Sequence, residues 1–336
     1  MRGIPPEAAR QHGVFIAAQA HRAGWTRHAL AHAVDYGYLE RIRPGVFALP
    51  LEASGDDHAM AAARLRRASV AVGLTHCRMT LSHRGAAVLQ DLPLLQGTSV
   101  PCVTFPRLFR GEVRGAHLHR ARLFPGHVVR LGCVLLTSAG RTVVDLGREL
   151  GADDCVVAAD AALRSGLTTA DLLDEVLTRC AGWPGIRQAA HAVVHADPRA
   201  ESALESVSRL RMVDAGLPTS WPQAIIRIGG RFVGRVDFYW DEFGVVGESD
   251  GLAKYDGKPL SLGEEKRRQG AMEDAGLTFV RWGWTELYGF DPVIRRLRAA
   301  FVRGLRPDRA PRLWTATPSL SPRPTGQLIT GTGRTG

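Results

Sequence analysis

The stretch 235-RVDFYWDEFGVVGESDGLAKYDG-257 alternates apolar and charged residues on both sides of a polar turn. This alternation predicts two antiparallel strands, because successive side chains of a strand point to opposite faces. With a four-residue turn between the strands, Trp240 pairs with Val245 and Asp237 lies opposite Glu248. Directly opposed carboxylates, with Cβ atoms about 5 Å apart, are destabilising unless something neutralises them. We therefore expect a divalent cation at this hairpin, since hard oxygen ligands suit Mg²⁺.

The elements around the hairpin follow the order helix, three strands, helix, strand. The periodicities predict a helix over 199–215, strands over 224–229, 231–240 and 244–250, a helix over 262–275, and a strand over 277–284. This is the order of the restriction-endonuclease-like fold. Residues 201–290 resemble its PD-(D/E)XK pattern, and specifically its very-short-patch-repair-like branch.

That resemblance implies an endonuclease site. Asp237 and Glu248 would hold Mg²⁺, or Mn²⁺ in its place, and the metal would polarise the scissile phosphate and activate a water. Asp250 would be a further metal ligand, and Glu205 or its neighbour Glu201 would help to hold the metal through water. Gln269 or Arg268 would orient the scissile phosphate.

One position departs from the pattern, because Asp250 stands where the family carries a lysine two residues after the acid. That lysine stabilises the developing negative charge, and either Lys254 or Lys266 would take over its role. Two alternatives stay open. The domain no longer cleaves anything, or Asp237 and Asp250 are solvated acids at strand ends.

The N-terminus predicts a winged helix-turn-helix. A helix over 5–23 stops at Gly24, a second helix runs from the Thr26 N-cap to Tyr36, and 38-YLERIRPGVFALP-50 reads as a hairpin. This region resembles the winged-helix domain of type IV abortive-infection antitoxins, the AbiEi family. The residues that carry the resemblance are Gly24-Trp25-Thr26, Leu30, 37-GYLERIRPGVFAL-49 and 82-SHRGAAVL-89, and it extends to 138-SAGRTVVDL-146 and 160-DAALRSG-166.

In the AbiEi family this domain binds DNA. The second helix would present Arg27, His28 and His32 to the major groove. Arg41 and Arg43 on the wing would contact phosphate. The alternative is that the winged helix binds a protein, such as a toxin, instead of DNA.

The fold class is therefore a multidomain α+β and α/β protein in four parts. Residues 1–55 form the winged helix, 56–195 a mixed α/β and helical middle region, and 196–304 the restriction-endonuclease-like domain. Residues 305–336 are rich in Pro, Ser, Thr, Gly and Arg, and we expect this tail to be disordered.

Composition narrows the function classes. The net charge is +10, and all but three of the 43 basic residues are arginines, which favours phosphate contacts. Five scattered cysteines, no signal peptide and no long apolar run predict a cytoplasmic protein outside the membrane. No Walker A motif occurs in the sequence.

The histidine positions alone do not predict a metal site or a catalytic pair. The pairs His117/His119 and His191/His195 have zinc-compatible spacing, but no third ligand is apparent in the sequence. Ser82 and His83 do not suggest a catalytic pair, because adjacent residues in a helix point apart.

Three functions follow from these observations. The first is a DNA-binding protein with a Mg²⁺-dependent endonuclease domain, in defence or repair, which acts as a homodimer if it cuts both strands. The second is an antitoxin-like transcriptional regulator whose nuclease-fold domain is inactive. The third is a partner module that inhibits a toxin by protein contacts alone.

Overall fold

The computed structural model describes residues 3–98, 100–105, 113–132, 134–250, 262–305 and 312–318. The chain divides into two compact units. Among the described residues, unit 1 takes in those of 1–158 and 167–190, and unit 2 those of 159–166 and 191–325.

The N-terminal part of unit 1 has a helix, a turn, a second helix and a hairpin, as predicted. A 3₁₀ helix comes first, and the three strands form a sheet in the order β1-β3-β2. The elements are the 3₁₀ helix Pro6–Arg10, β1 Val14–Ile16, α1 Ala17–Arg22, α2 Arg27–Asp35, β2 Glu40–Arg43 and β3 Val46–Ala48.

The prediction of one continuous helix over 5–23 is wrong. His12 and Gly13 adopt left-handed backbone angles, with φ of 51° and 79°, which interrupt the helix. The chain then forms β1, whose Val14 and Phe15 are fully buried and pair with β3. Pairing and burial in the three-stranded sheet outweigh the local helical preference of this alanine-rich segment.

The rest of unit 1 is a five-stranded mixed sheet with helices. The strand order is β6-β5-β4-β8-β7, in which β4 runs parallel to β8 and β5 parallel to β6. The elements are α3 Asp57–Thr75, β4 Thr80–Ser82, α4 His83–Leu89, β5 Cys102–Phe105, β6 His117–Arg120, β7 Val128–Leu131, β8 Val134–Thr137, α5 Ala139–Glu149, α6 Ala152–Arg164, α7 Ala170–Arg179 and α8 Ile186–Val194. The C-terminal ends of α6 and α8 belong to unit 2.

Residues on both sides of the predicted boundary at 55 share one core. Val14 and Val46 of the small sheet belong to the same buried cluster as Leu65 of α3 and Leu81 of β4. Apolar area from both segments is removed from water together, which couples their stability.

Unit 2 contains a five-stranded sheet in the order β12-β11-β10-β9-β13. Strands β11 and β12 are parallel, and the other neighbours are antiparallel. The elements that follow α8 are α9 Ala203–Asp214, β9 Trp221–Ile228, β10 Arg231–Trp240, β11 Val245–Asp250, α10 Leu262–Asp274, β12 Thr278–Gly283, α11 Trp284–Leu287, α12 Asp291–Gly304 and β13 Trp314–Thr317. The predicted order of helix, three strands, helix and strand is confirmed.

The expectation that the tail 305–336 is disordered is wrong for one segment. Trp314–Thr317 pair with β9 as an antiparallel edge strand, in register with Ile225 to Ile228. Trp314 is only 6% exposed, and its Nε1 donates to the Tyr239 hydroxyl at 2.7 Å. Trp314 therefore anchors this strand to the core of unit 2.

No helix in the described ranges is both long and apolar enough to cross a membrane. Four of the described cysteines are free thiols, namely Cys77, Cys102, Cys155 and Cys180.

Candidate nucleic-acid interface and acidic site

Helix α2 has one buried apolar face and one exposed basic face. The Thr26 hydroxyl caps the helix by accepting from the Ala29 N–H at 3.1 Å. Leu30 and Ala33 are buried in the N-terminal core. On the opposite face all three predicted DNA-binding residues are exposed, namely Arg27, His28 and His32.

A row of exposed rings continues from this face. His32 stacks on Tyr36 with ring centroids 4.2 Å apart, and Tyr36 stacks on Tyr38 at 6.4 Å. Tyr36 and Tyr38 are 67% and 68% exposed, which is unusual for stacked aromatics. Neither tyrosine was predicted as a site residue, although the Tyr-Gly-Tyr pattern at the end of α2 is a visible signal in the sequence.

The two wing arginines differ. Arg41 is exposed and lies over the Phe47 ring at 5.9 Å. Arg43 is half-buried, and its Nη2 donates to His76 Nε2 at 3.2 Å and to the Arg114 carbonyl at 3.3 Å. Burial also lowers the pKa of Arg43. Arg43 is therefore committed to contacts within unit 1, whereas Arg41 is open to a ligand.

The acidic site of unit 2 is built where β9 and β10 are locally irregular. Asp237 lies between the register pairs Val236–Ala224 and Phe238–Pro222. Gln223 lies between the two β9 partners, Pro222 and Ala224. Its φ of 53° is left-handed, which is a strained conformation for a non-glycine residue.

Glu205 projects from α9 into this region and is almost fully buried. Its carboxylate accepts from Ser202 Oγ at 2.8 Å, Gln223 Nε2 at 2.7 Å and the Glu201 N–H at 3.0 Å. Burial, and then the negative charge of Asp237, raise the pKa of Glu205. The two predicted site residues Glu205 and Asp237 thus interact electrostatically.

Asp237 is held by its neighbour across the hairpin. Its Oδ2 accepts from the Ser249 N–H at 2.9 Å and from the Ser249 hydroxyl at 2.7 Å. Both described hydrogen bonds therefore end on one carboxylate oxygen, and they neutralise part of its charge without an ion.

Glu248 is paired with arginines. The register of Trp240 with Val245 is confirmed, but the 4% exposed Glu248 side chain accepts from Arg268 Nη2 at 3.1 Å and from Arg281 Nη2. The argument that opposed carboxylates at this hairpin need a cation therefore does not hold for Glu248, and a metal ion here stays a prediction. Two guanidinium groups supply the compensating charge.

The side chains of the other predicted residues have different partners or lie outside the described part of the chain. Gln269 donates to Glu273 Oε1 at 2.7 Å along α10. Glu201 forms an ion pair with Arg235 at 2.6 Å. Asp250 ends β11 with a side chain outside the described part, and Lys254 lies outside the described residues altogether.

A three-ligand constellation does occur among the described residues, but in unit 1. His83, His119 and Glu149 offer ligand atoms that all lie within 4.8 Å of one another. The acidic set of unit 2 does not meet this criterion with its described side chains. Ser82 also differs from expectation, because its Oγ lies 2.9 Å from Nδ1 of the adjacent His83.

Comparison with known proteins gives limited matches. The chain is 33% identical over 146 residues to two proteins of Mycobacterium tuberculosis, the uncharacterized protein MT2308 of strain CDC 1551 / Oshkosh and the uncharacterized protein Rv2248 of strain ATCC 25618 / H37Rv. The aligned residues are 44% of this chain and 54% of each relative, so the chain spans about half the length of these relatives. The crystal structure of RV2827C protein from Mycobacterium tuberculosis matches with 17% identity and a TM-score of 0.32, covering 66% of this chain and 86% of that one.

The N-terminal segment gives the family match. Residues 4–50, which contain α1, α2 and the β2–β3 wing, match a family described as transcriptional regulator, AbiEi antitoxin. The match covers the helix-turn-helix with its exposed basic face, and this segment is therefore similar to AbiEi-type regulators.

Proposed function

We propose that this protein is a DNA-binding transcriptional regulator of the antitoxin type. The observation that carries the proposal is the exposed basic face of α2, located within the segment that matches AbiEi regulators. A helix with one buried apolar face and one exposed basic face suits insertion into a major groove. The net charge of +10 adds a favourable, sequence-independent attraction to phosphates.

The wing, formed by β2 and β3, adds further contacts to this interface. Arg41 is free to contact a phosphate oxygen, whereas Arg43 stabilises the wing from inside through His76. The exposed rings of Tyr36 and Tyr38 lie between the end of α2 and the wing, where a hydroxyl donates readily to a phosphate. Arg27, His28, Arg41 and the two tyrosines are therefore the principal contacts that we expect.

Binding to DNA upstream of the protein's own gene tests this proposal. Fluorescence anisotropy would compare that fragment with a shuffled fragment of equal length for the wild type, R27A and R41A. We expect the wild type to bind the upstream fragment more tightly than the shuffled fragment. Each variant should bind the upstream fragment about 5–150-fold more weakly, as a loss of about 1–3 kcal/mol implies.

A matched control is Arg187→Ala, which removes the same charge from an exposed position on α8. R187A should bind like the wild type. Equal affinity for specific and shuffled DNA, or equal weakening in R187A, would reject the regulator with a helix-turn-helix interface.

Nucleic-acid cleavage by unit 2 is the second candidate function. It is favoured by the predicted order of helix and strands and by the electrostatic coupling of Glu205 with Asp237. These two carboxylates suit a hard cation such as Mg²⁺ or Mn²⁺, but Glu248 does not, since its oxygens bind Arg268 and Arg281. When bound, Mg²⁺ would polarise a phosphate and lower the pKa of a water.

A supercoiled plasmid assay with Mg²⁺ or Mn²⁺ tests cleavage. We expect nicking by the wild type, loss of nicking in D237A, and retention in E242Q, which alters an exposed acid of the β10–β11 turn. Nicking that persists in D237A would reject this site. Intact plasmid with all proteins, together with specific DNA binding, would leave the regulator as the function.

A toxin partner, a homodimer and a cytoplasmic location stay parts of the proposal. Antitoxin regulators are paired with a toxin, and a DNA-binding dimer reads a site with matching symmetry. Co-expression with the product of the adjacent gene, followed by size-exclusion chromatography, would test the first two.

A further inference from the structure

We propose that His83, His119 and Glu149 form a binding site for a divalent transition-metal ion of the Zn²⁺ class. The three residues come from α4, β6 and α5 of unit 1. Both imidazole Nε2 atoms lie 3.8 Å from the same carboxylate oxygen, Glu149 Oε2. Two imidazoles and one carboxylate are the protein ligands of many zinc sites that keep a fourth position open.

The separations suit an ion better than direct hydrogen bonds. At 3.8 Å, neither imidazole is within hydrogen-bond distance of the carboxylate. In a tetrahedral zinc site with ligand bonds of about 2.0–2.2 Å, neighbouring ligand atoms are roughly 3.3–3.6 Å apart. Contraction by a few tenths of an ångström would bring both Nε2–Oε2 distances into this range, and rotation of the stacked imidazole rings would direct both lone pairs to one ion.

An unsatisfied nitrogen points to the same place. Among the described residues His119 Nε2 is buried and has no hydrogen-bond partner. A buried polar atom without a partner is destabilising, and such atoms in a folded protein call for an explanation. A metal ion supplies that partner, and the 27% exposed His119 and 23% exposed Glu149 side chains leave a path from solvent.

The surrounding contacts orient these ligands. Ser82 Oγ lies 2.9 Å from His83 Nδ1 and accepts from Thr104 Oγ1 at 2.8 Å, so an Nδ1–H tautomer leaves the Nε2 lone pair free. Arg84 binds the other oxygen of Glu149, Oε1, and keeps Oε2 turned to the imidazoles. Hydrogen bonds of this kind to the second ring nitrogen and to the carboxylate are characteristic of metal ligands.

The backbone around His83 is strained and tightly packed. His83 has a left-handed φ of 48°, and its ring stacks on that of His119 with centroids 3.8 Å apart. A Cβ at Gly85 would lie 2.9 Å from the Cys102 carbonyl oxygen, so α4 approaches β5 as closely as a glycine allows. Left-handed non-glycine residues cluster at functional sites, where the surrounding structure maintains them.

Zinc titration of the full, untagged chain tests the proposal, after removal of bound metal with a chelator. Isothermal titration calorimetry should give one Zn²⁺ per chain for the wild type. His119→Gln and Glu149→Gln should each weaken binding by about tenfold to 100-fold or more. Co²⁺ in place of Zn²⁺ should give the intense visible absorption of a tetrahedral site in the wild type but not in H119Q or E149Q.

The matched control is His117→Gln, an exposed histidine two residues away on the same strand. It should bind Zn²⁺ like the wild type, and Zn²⁺ should raise the Tm of the wild type and H117Q but not of H119Q. Circular dichroism would show that H119Q is folded. No Zn²⁺ binding by the wild type, or equal affinity in H119Q and E149Q, would overturn the site, as would an equal loss in H117Q. None of these readouts depends on DNA binding.

Discussion

Arg141 is the largest charged side chain that is fully buried in the described part of the chain. Its Nε donates to Asp145 Oδ2 at 2.8 Å, and its Nη1 donates to His127 Nδ1 at 2.9 Å and the Arg122 carbonyl at 3.0 Å. The guanidinium also lies 4.8 Å from the centroid of the Trp183 ring. This arginine therefore ties α5 to two loops and a neighbouring ring.

Replacing Arg141 with methionine should lower the free energy of unfolding by about 3–5 kcal/mol, because Asp145 would keep a buried charge with less compensation. Urea unfolding would measure the loss. R179M is the control, since Arg179 makes an exposed i,i+4 pair with Glu175 that is worth about 0–1 kcal/mol. Equal losses in the two variants would contradict the interpretation of Arg141 as a buried structural charge.

Glu205 gives a pH-dependent prediction. Burial and the charge of Asp237 raise its pKa, so the folded state binds this proton more tightly than the unfolded state. The protonated Glu205 side chain therefore stabilises the folded state. This contribution is complete below the pKa that Glu205 has in the unfolded state, and it is lost as pH rises through the higher pKa of the folded state. Glu205→Gln removes this titration, so the stability of E205Q relative to the wild type should increase over that pH range.

Chemical unfolding at a series of pH values from acid to neutral would measure this difference for E205Q. The exposed Glu242→Gln serves as the control and should show no such trend. A stability difference between E205Q and the wild type that is constant with pH, or that falls as pH rises, would be the contrary result.

At the scale of elements, β13 shows how one residue places a strand. Trp314 packs against the unit 2 core and donates to the Tyr239 hydroxyl, whereas the adjacent Leu313 is 61% exposed. Trp314→Ala should lower the free energy of unfolding by about 3–5 kcal/mol, as for other buried aromatics. Leu313→Ala should change it by less than about 0.5 kcal/mol. Thermal or urea unfolding of both variants would check the contrast, and similar losses would show that β13 does not pack as described.

At the scale of the whole molecule, charge should govern DNA binding. The net charge of +10 and the basic α2 face imply that phosphate contacts supply much of the affinity. The logarithm of the binding constant should fall linearly with the logarithm of salt concentration, with a slope of about −0.9 for each phosphate contacted. R41A should reduce the magnitude of the slope by about one.

Anisotropy titrations over a range of KCl concentrations would give these slopes for the wild type, R41A and R187A. R187A should retain the wild-type slope. Affinity that does not change with salt would exclude a phosphate-dominated interface and would favour a protein partner for the winged helix.

Local sequence patterns determined most of the secondary structure. The alternation in 231–240 predicted β10 with the observed ends, because period-two burial is a property of a single element. The exposed α2 residues were likewise predictable, since Leu30 and Val34 mark the face that turns to the core. In each case the residues that form the pattern belong to one element, so the pattern can be read from the local sequence.

Tertiary structure alone decided where the charges find partners. Glu248 pairs with Arg268 and Arg281, which are 20 and 33 residues away, so no local pattern could show that guanidinium groups would neutralise it. The same holds for His83, His119 and Glu149, which sheet pairing and helix packing bring together from three separate elements. Spacing along the chain indicates which residues share a face, but contacts between distant segments depend on the packing of the whole core. The same packing explains why the predicted first helix is interrupted at His12 and Gly13.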